Sequence, residues 1–434
     1  MSSTDPRREL FRNPNFRWLV GGGLLSALGD QFTLLALPWL VLSLSHDPLV
    51  LGTVLALGSL PRAVFILVGG ALVDRHSPRQ VLWLTKWLNF ALLGLLAALV
   101  ATDRITLPGV YALTLLIGLA TAFSYPAGSA ILPQAVPAAL LQPANGVLMG
   151  VRQLVLLLGP VLAGLLVSAG GAPALGRQGL ALAFGFDALS FAVSAWTLAR
   201  VQTSAPAART TQPVGAAIAE SLRACWQDRE LRALFLYFAA IAFFVGGPIQ
   251  VALPVLAAER LPGGAASLGW MLAAHGLGSL LGMAVSGLKP HWRLATLGGT
   301  VLLIDSIAGA VFLLFGHVHA AWQGAALLLP LGALGGFVMV AVYSWLQRRI
   351  APEMLGRSMA LFMFIVMGLA PLASAAAGAA LRVLDVTQLF SAAALCLLAV
   401  VALGALFTPI RRIDYPQAAT GSGDGPATGQ AALS

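Results

Sequence analysis

Several residues that can carry a charge stand inside long apolar stretches of this 434-residue sequence. They are Asp30, Arg62, Lys86, Arg152, Asp187, His275 and Asp305. An ionised side chain at the centre of a bilayer costs at least ~2.5–3.5 kcal/mol unless it is paired or hydrated, so such residues are rare and usually functional. Such residues are candidates for a transport or coupling role or for a structural ion pair. These residue types point to an ion, proton or solute pathway.

Asp30 is the first acid among them and follows Gly29 in the segment "ALGDQ". It lies about thirteen residues beyond Arg17, or ~20 Å along a helix that rises about 1.5 Å per residue, which places it near the middle of a membrane. A polar residue at that depth can face a cavity, so we expect Asp30 to act in transport. The alternative is a structural ion pair, for which Arg62 is the candidate partner.

The other charged candidates have structural explanations beside the functional one. Lys86 and Arg152 lie about two turns from the end of their apolar stretches, where a long side chain can reach the membrane surface. Asp187 and Asp305 can serve as polar groups that hold helices together, and His275 is more typical of a packing residue. The transport or coupling candidates are Asp30, Arg62, Arg152, Asp187 and Asp305.

The elements that carry these residues are membrane helices. Apolar residues make up 59% of the sequence and charged residues 9%, whereas soluble domains contain about 25% charged residues. The apolar runs are about 20 residues or longer and do not alternate with period two, which predicts an all-α membrane protein and not a barrel. The twelve predicted spans are 17–44, 49–73, 81–101, 107–126, 145–169, 179–200, 231–256, 266–287, 294–316, 320–345, 358–381 and 387–409.

The basic residues predict the orientation of the chain. With the N-terminus inside, most of the 25 lysines and arginines fall on the cytoplasmic side, while Arg104, Arg177, Arg260 and Arg382 fall outside. The positive-inside rule then places both termini in the cytoplasm of a multi-pass plasma-membrane protein. The net charge of +9 is dispersed over short loops without interleaved aromatic residues, so it does not indicate nucleic-acid binding.

An internal repeat divides the spans into two halves. "ALPWLVL" at residue 36 returns as "ALPVLAA" at residue 252, and the segment that begins at Leu51 returns at Leu268, an offset of 216 or 217 residues. A repeat of this length predicts two related six-helix units. The predicted organisation is an N-terminal six-helix bundle at 1–201, a cytoplasmic linker with an amphipathic helix at 202–230, a C-terminal six-helix bundle at 231–410 and a disordered cytoplasmic tail at 411–434.

The segment "GGALVDRHSPRQVL" places an acid and two arginines at the end of the second span. Its Gly70, Asp74, Arg75 and Arg79 resemble the signature loop between the second and third helices of the major facilitator superfamily, although Ser77 replaces the usual Gly. "YPAGSAILPQAVPAALLQPANG", "AFGFDALSFAVSA" and "WLQRRIAPEMLGRSMAL" are similar to the drug and macrolide efflux branch of that superfamily. The resemblance implies a two-bundle transporter whose central cavity opens alternately to each side.

The same segment predicts a latch between the two halves. Gly70 lets helices approach closely, and the Asp74 carboxylate suits the positive N-terminal end of a helix. The family resemblance implies that the partner is the start of the eleventh helix, where Gly356 and Arg357 stand. The alternative is a positively charged turn that only sets topology. The latch residues are Gly70, Asp74, Arg75, Arg79, Gly356 and Arg357.

In the predicted fifth span, "GPVLAG" resembles a Gly-Pro motif of antiporter branches. Pro160 removes one intrahelical hydrogen bond, and Gly159 and Gly164 provide room, so we expect the helix to bend there. A kinked helix without a role in coupling is the alternative. The fourth span lacks the membrane arginine that many proton antiporters carry, which weakens the argument for proton coupling.

Several function classes find no support in the sequence. It contains no GxxxxGK[ST] loop for ATP, no clustered nucleophile and base, and no third ligand beside the "HVH" segment for a metal, so we expect no enzymatic activity and no cofactor. The leading hypothesis is proton-coupled efflux of amphipathic drugs or similar small molecules by a monomer in the lipid bilayer. The alternatives are export of a siderophore or lipid-like metabolite, import by symport, and a non-transporting sensor on the same fold.

Overall fold

The computed structural model describes residues 6–73, 77–168, 176–203, 222–223, 225–288, 296–350 and 352–414. Within these ranges the regular secondary structure is helical, with no strand. Twelve of the described helices are long and apolar enough to cross a membrane, which confirms the predicted all-α membrane fold. They are α1 (Pro14–Ser45), α2 (Pro48–Val73), α3 (Pro78–Ala101), α4 (Leu107–Ala135), α5 (Leu141–Ser168), α6 (Gly176–Ala199), α7 (Arg229–Arg260), α8 (Ala265–Leu288), α9 (Leu297–Leu314), α10 (Ala321–Arg349), α11 (Pro352–Gly368 and Ala370–Ala380) and α12 (Val386–Phe407).

Polar residues fix where several of these helices begin. Asn13 accepts a hydrogen bond from the backbone N–H of Phe16 at 3.2 Å and caps α1. Asp228 accepts one from the N–H of Leu231 at 3.2 Å and caps α7. Each cap satisfies a backbone donor that the first turn leaves unpaired. The apolar pattern does not include these polar caps, so the predicted starts of α1 and α7 lie a few residues later than the observed ones.

The fourth span is longer than predicted because proline does not end it. The prediction stopped at residue 126, whereas α4 continues through Pro126 and Pro133 to Ala135. A proline removes one backbone donor, but a helix in a membrane that continues past the proline keeps its other backbone groups paired. The two prolines therefore lie inside the helix.

The helices α7 and α11 are not uniform. A π-helical turn at Pro248–Ala252 interrupts α7, and such turns occur frequently at functional sites. The two parts of α11 are separated at Leu369, directly before a segment that carries Pro371 in its first turn. The predicted spans contained neither irregularity.

The described helices pack as two groups of six. In the first group, α1 lies against α5 and α6, and α3 lies against α4 and α6. In the second group, α8 lies against α10, and α9 lies against α12. The two groups meet where α2 contacts α11 and where α5 contacts α8. Each half of the sequence repeat thus folds as a six-helix bundle.

The bundles approach each other closely on one side of the molecule. Consecutive spans run antiparallel, so α1 begins and α12 ends on one side, which we call the terminal side. The opposite side, where α1 ends and α2 begins, is called the loop side. A Cβ added to Gly164 of α5 would lie 2.8 Å from the carbonyl oxygen of Ala265 in α8, and one added to Gly378 of α11 would lie 3.1 Å from Cα of Leu49 in α2. Glycine allows this close backbone approach, so the bundles are pressed together near the loop side.

An ion pair joins the bundles on the same side. Arg382, just after α11, donates from Nε to both carboxylate oxygens of Asp47, between α1 and α2, at 3.2 and 3.3 Å, and donates from Nη2 as well. Hydrogen bonding from this guanidinium holds the pKa of Asp47 below its ordinary value. Because the pair is partly exposed, its role is to orient the two bundles, while the glycine-rich surfaces form the contact itself.

Candidate functional site

Asp30 lies halfway along α1 and is exposed. The preceding residue, Gly29, faces α6, because a Cβ added to it would lie 2.9 Å from Cβ of Ser190. Asp30 also interacts electrostatically with Lys86 of α3 and Arg62 of α2. Ionisable side chains at this depth almost always face the bundle interior or a water-filled cavity, so we expect the exposed Asp30 carboxylate to face the interior.

Lys86 points into the first bundle and does not snorkel to the surface. Its Nζ donates to Ser26 Oγ of α1 at 2.8 Å and lies 4.6 Å from the ring centroid of Phe191 in α6. These contacts let one ammonium group join α3 to both α1 and α6, and place its positive charge between Asp30 and Asp187, with which it interacts electrostatically.

Asp187 of α6 is buried, with only 1% of its surface exposed. Thr33 Oγ1 of α1 donates a hydrogen bond to its carboxylate, and Ser190 Oγ donates a longer one at 3.3 Å. Among the described residues, no Lys, Arg or His nitrogen lies within 4 Å of the Asp187 carboxylate. A buried acid that has hydroxyl donors but no direct counter-ion is uncommon.

Asp187 belongs to a row of small and polar residues where α1 meets α6. Cα of Ser194 in α6 would lie 3.2 Å from a Cβ added to Gly22 of α1. Residues that recur every three or four positions share one helix face, and small residues allow membrane helices to approach closely. The α1–α6 seam consists of Gly22, Ser26, Gly29 and Thr33 on α1 and of Asp187, Ser190, Ser194 and Thr197 on α6. This seam was not predicted, although its spacing is visible in the sequence.

Arg62 and Asn89 place further polar atoms inside the first bundle. Arg62 Nε is buried and has no hydrogen-bond partner in the described part of the chain. Asn89 of α3 is buried, and neither polar atom of its side chain finds a partner there. The sequence analysis did not single out Asn89, yet it stands 216 residues before Asp305, so the repeat could have drawn attention to it.

The charged residues Asp30, Arg62, Lys86 and Asp187 of the first bundle form what we call the Asp30 cluster. Asp305 lies in the second bundle, outside this cluster. Tyr237 Oη of α7 donates to Asp305 Oδ2 at 2.6 Å, and the Tyr237 ring would lie 3.2 Å from a Cβ added to Gly404 of α12. The Asp305 carboxylate therefore ties α9 to α7. The backbone of His275 lies close to α10, since a Cβ added to Gly332 of α10 would lie 2.9 Å from its carbonyl carbon, while the role of its side chain remains a prediction.

Arg152 is exposed on α5, beside a contact between the bundles. The adjacent Gln153 donates from Nε2 to the Met283 sulfur of α8 at 3.2 Å. Arg152 thus lies near the α5–α8 boundary, outside the Asp30 cluster. In the described part of the chain, no group of three His, Cys, Asp or Glu side chains could hold a metal ion.

The predicted latch falls largely outside the described residues. Asp74 and Arg75 are not described, Gly70 lies within α2, and only the helical backbone is described at Gly356 and Arg357. Arg79 in the first turn of α3 donates to the carbonyl oxygens of Leu198 at 3.2 Å and Ala199 at 2.5 Å. It therefore satisfies backbone acceptors at the end of α6, while the latch remains a prediction.

The three residues predicted to bend α5 all lie at helix contacts. The helix is continuous through Pro160. A Cβ added to Gly159 would lie 2.8 Å from Cβ of Gln31 in α1, and Gly164 faces α8. The expected bend remains a prediction, whereas the packing role of both glycines is a feature the sequence analysis did not anticipate.

A family model described as "Transmembrane secretion effector" matches residues 8–422. The chain is 28% identical over 349 residues to the protein named multidrug efflux pump Tap of Mycolicibacterium fortuitum, covering 77% of this chain and 81% of that protein. It is 27% identical over 431 residues to the protein of the same name from Mycobacterium tuberculosis (strain ATCC 25618 / H37Rv), covering 95% and 97%.

Among solved structures, the chain matches a bacterial homologue of the human lysosomal transporter Spinster, crystallised in an inward-facing and occupied conformation. The TM-score is 0.68 at 14% identity, covering 96% of this chain and all of that chain. This likeness confirms the fold. Because the family model spans nearly the whole sequence, the chain belongs to the transmembrane secretion effector family, a multi-pass membrane transporter family of the major facilitator superfamily.

Proposed function

We propose that this protein exports amphipathic small molecules across the cell membrane in exchange for protons, by alternating access and without an enzymatic step or a cofactor. The observation that carries the proposal is the position of Asp30. An exposed carboxylate at mid-span, flanked by the charges of Lys86 and Arg62, can bind a cationic group or exchange a proton inside the bundle. The apolar character of the surrounding spans suits the rest of an amphipathic solute.

The orientation that we also propose is compatible with export. Basic residues are concentrated in the loops of the terminal side, so the positive-inside rule favours a cytoplasmic terminal side and cytoplasmic termini. The loop side, which glycine contacts and the Asp47–Arg382 pair hold closed, is then the external side. A carrier that is closed outside can take up its solute from the cytoplasm, as an exporter must.

The relatives support the class of solute. Two proteins that align over most of their length with this chain are named multidrug efflux pumps, and we transfer that property to this chain as part of the proposal. The contacts of the cluster lie within one chain, because α1, α2, α3 and α6 together supply them. We therefore propose that a monomer is the transporting unit.

Ethidium efflux tests the proposed function. Cells that express the protein and lack other exporters should accumulate less ethidium than control cells, and collapsing the proton gradient should abolish the difference. Asp30→Asn should insert normally and fail to export, because the amide keeps the shape and loses the titratable charge. Normal export by Asp30→Asn would remove Asp30 from the mechanism. Export that is insensitive to the proton gradient would contradict proton coupling.

A further inference from the structure

The two acids of the first bundle differ in what can reach them. Asp30 is exposed on one side of α1, whereas Asp187 is 1% exposed on the far side, within the α1–α6 seam. Gly29 separates the two positions, since it is pressed against Ser190. In this conformation a solute can contact the exposed Asp30 carboxylate, whereas the Asp187 carboxylate is covered by its neighbours.

We propose that Asp187 carries the exchanged proton while Asp30 binds the cationic part of the exported solute. This inference rests on the proposed function, because it assigns the two halves of the proton-for-solute exchange to two different carboxylates. It also gives the buried Asp187 carboxylate a function, which its hydrogen bonds alone do not identify.

The charges account for the coupling between the two sites. Asp30 and Asp187 interact electrostatically, and a like charge nearby disfavours the ionised form of a carboxyl group. While Asp30 is ionised and unoccupied, the proton remains on Asp187. When a cation neutralises Asp30, the O–H bond of Asp187 breaks, its electron pair stays on the carboxylate, and the proton passes to water on the terminal side. One positive charge enters the cluster and one leaves it.

The neighbours of Asp187 suit a group that changes its charge. The hydroxyls of Thr33 and Ser190 can donate to a carboxylate and can also accept from a carboxylic acid, because a hydroxyl group does both. The charged groups that act on Asp187 from the packed helices are Asp30 of α1 and Lys86 of α3. Lys86 acts from a distance, since its Nζ is held by Ser26 at 2.8 Å. A direct ion pair would fix Asp187 in its ionised form, and the described residues do not form one.

Simultaneous measurement of cation binding and proton release tests this assignment. Purified full-length protein in detergent and weak buffer receives tetraphenylphosphonium, a lipophilic monocation. Bound cation is counted by equilibrium dialysis, and released protons are counted with a pH-sensitive dye. The unsubstituted protein should release about one proton for each cation bound, because the cluster exchanges one charge for another. Asp187→Asn should bind the cation and release no proton, whereas Asp30→Asn should lose most of the binding.

A matched control separates the acid from the seam that holds it. Ser194→Ala alters the same seam two turns away from Asp187, and it should bind the cation and release protons as the unsubstituted protein does. Thr33→Val keeps both carboxylates but removes a donor to Asp187. It should bind the cation and release fewer protons at the same pH, so it tests the proposal even if Asp187→Asn does not fold.

The outcomes distinguish this inference from the proposed function. Proton release by Asp187→Asn equal to that of the unsubstituted protein would overturn the role of Asp187 and leave proton-coupled export standing. Loss of cation binding in a folded Asp187→Asn protein would overturn the division of roles between the two acids. Cation binding without proton release in the unsubstituted protein would contradict the proton exchange itself, and the inference would fail with it. Unchanged proton release by Thr33→Val would also count against the inference.

Discussion

The contact between Gly269 of α8 and the backbone of α5 has no room for a side chain. A Cβ added to Gly269 would lie 3.2 Å from the carbonyl carbon of Pro160, would press on the Pro160 carbonyl oxygen, and would lie 3.3 Å from Cα of Gly164. All of these atoms belong to the backbone, so no flexible side chain can move aside. Gly269→Ala should therefore weaken closure of the loop side, where this contact lies.

The expected size of the effect follows from the packing. Adding a methylene-sized group to a close-packed interface costs about 1–3 kcal/mol, and that cost is present only while α5 and α8 touch. The higher helix propensity of alanine, about 1 kcal/mol over glycine, is gained in both the closed and the open conformation and cancels. The ratio of loop-side-open to loop-side-closed molecules should thus rise by about 5- to 150-fold.

Distances between spin labels on the two bundles measure this ratio. Thr102, between α3 and α4, and His319, between α9 and α10, are exposed on the loop side and can be replaced by cysteine in a protein in which Cys225 and Cys396 are serine. Double electron–electron resonance should show a larger long-distance population for Gly269→Ala. Gly287→Ala is the matched control, because a Cβ on this glycine of the same helix meets nothing within 4 Å. Equal distance distributions for the two variants would refute the assignment of this contact to closure.

Three further predictions concern other contacts. Asp47→Asn should raise the loop-side-open population in the same spin-label measurement at neutral pH. The hydrogen bond from Arg382 lowers the pKa of Asp47. The contribution of the pair to loop-side closure should therefore be constant above the ordinary Asp pKa of about 4 and fall only as the pH drops through the lowered pKa. Gly282→Ala should lower the melting temperature without changing the label distances, since its Cβ would lie 2.6 Å from the carbonyl carbon of Ala333 in α10, within one bundle, and overpacking costs about 1–3 kcal/mol. Burial raises the pKa of the Cys225 thiol. Maleimide labelling of this thiol at pH 7 should therefore be slower than labelling of a free exposed cysteine, and it should accelerate as the pH rises. Equal labelling rates would mean that Cys225 is not held against Ser358 of α11.

Hydropathy alone predicts the twelve spans because the thickness of a bilayer sets the length of any helix that crosses it. The depth of Asp30 was equally accessible, since it depends only on the distance along α1 from a basic end. The partners of Asp187 were not accessible in this way. Thr33 stands 154 residues earlier in the chain, and the pairing depends on the rotation of α6 against α1, which an apolar pattern leaves open. The contacts of Gly159 and Gly269 also depend on how the helices are rotated against each other, so the apolar pattern did not predict them.

Short contacts lead from the charged cluster to the interface between the bundles. Gln31, the residue after Asp30, packs against Gly159 of α5, and the next residue, Pro160, presents its carbonyl to Gly269 of α8. A change in charge at Asp30 that shifts α1 against α5 would therefore act directly on the backbone contact that holds the loop side closed. Within the second bundle, α8 presents Gly278 and Gly282 to α10 and Gly269 and Gly276 to α5. One helix thus uses separate faces for the contact inside its own bundle and for the contact that the proposed alternating access must open, so we expect the bundle to move as a unit when the α5 contact separates.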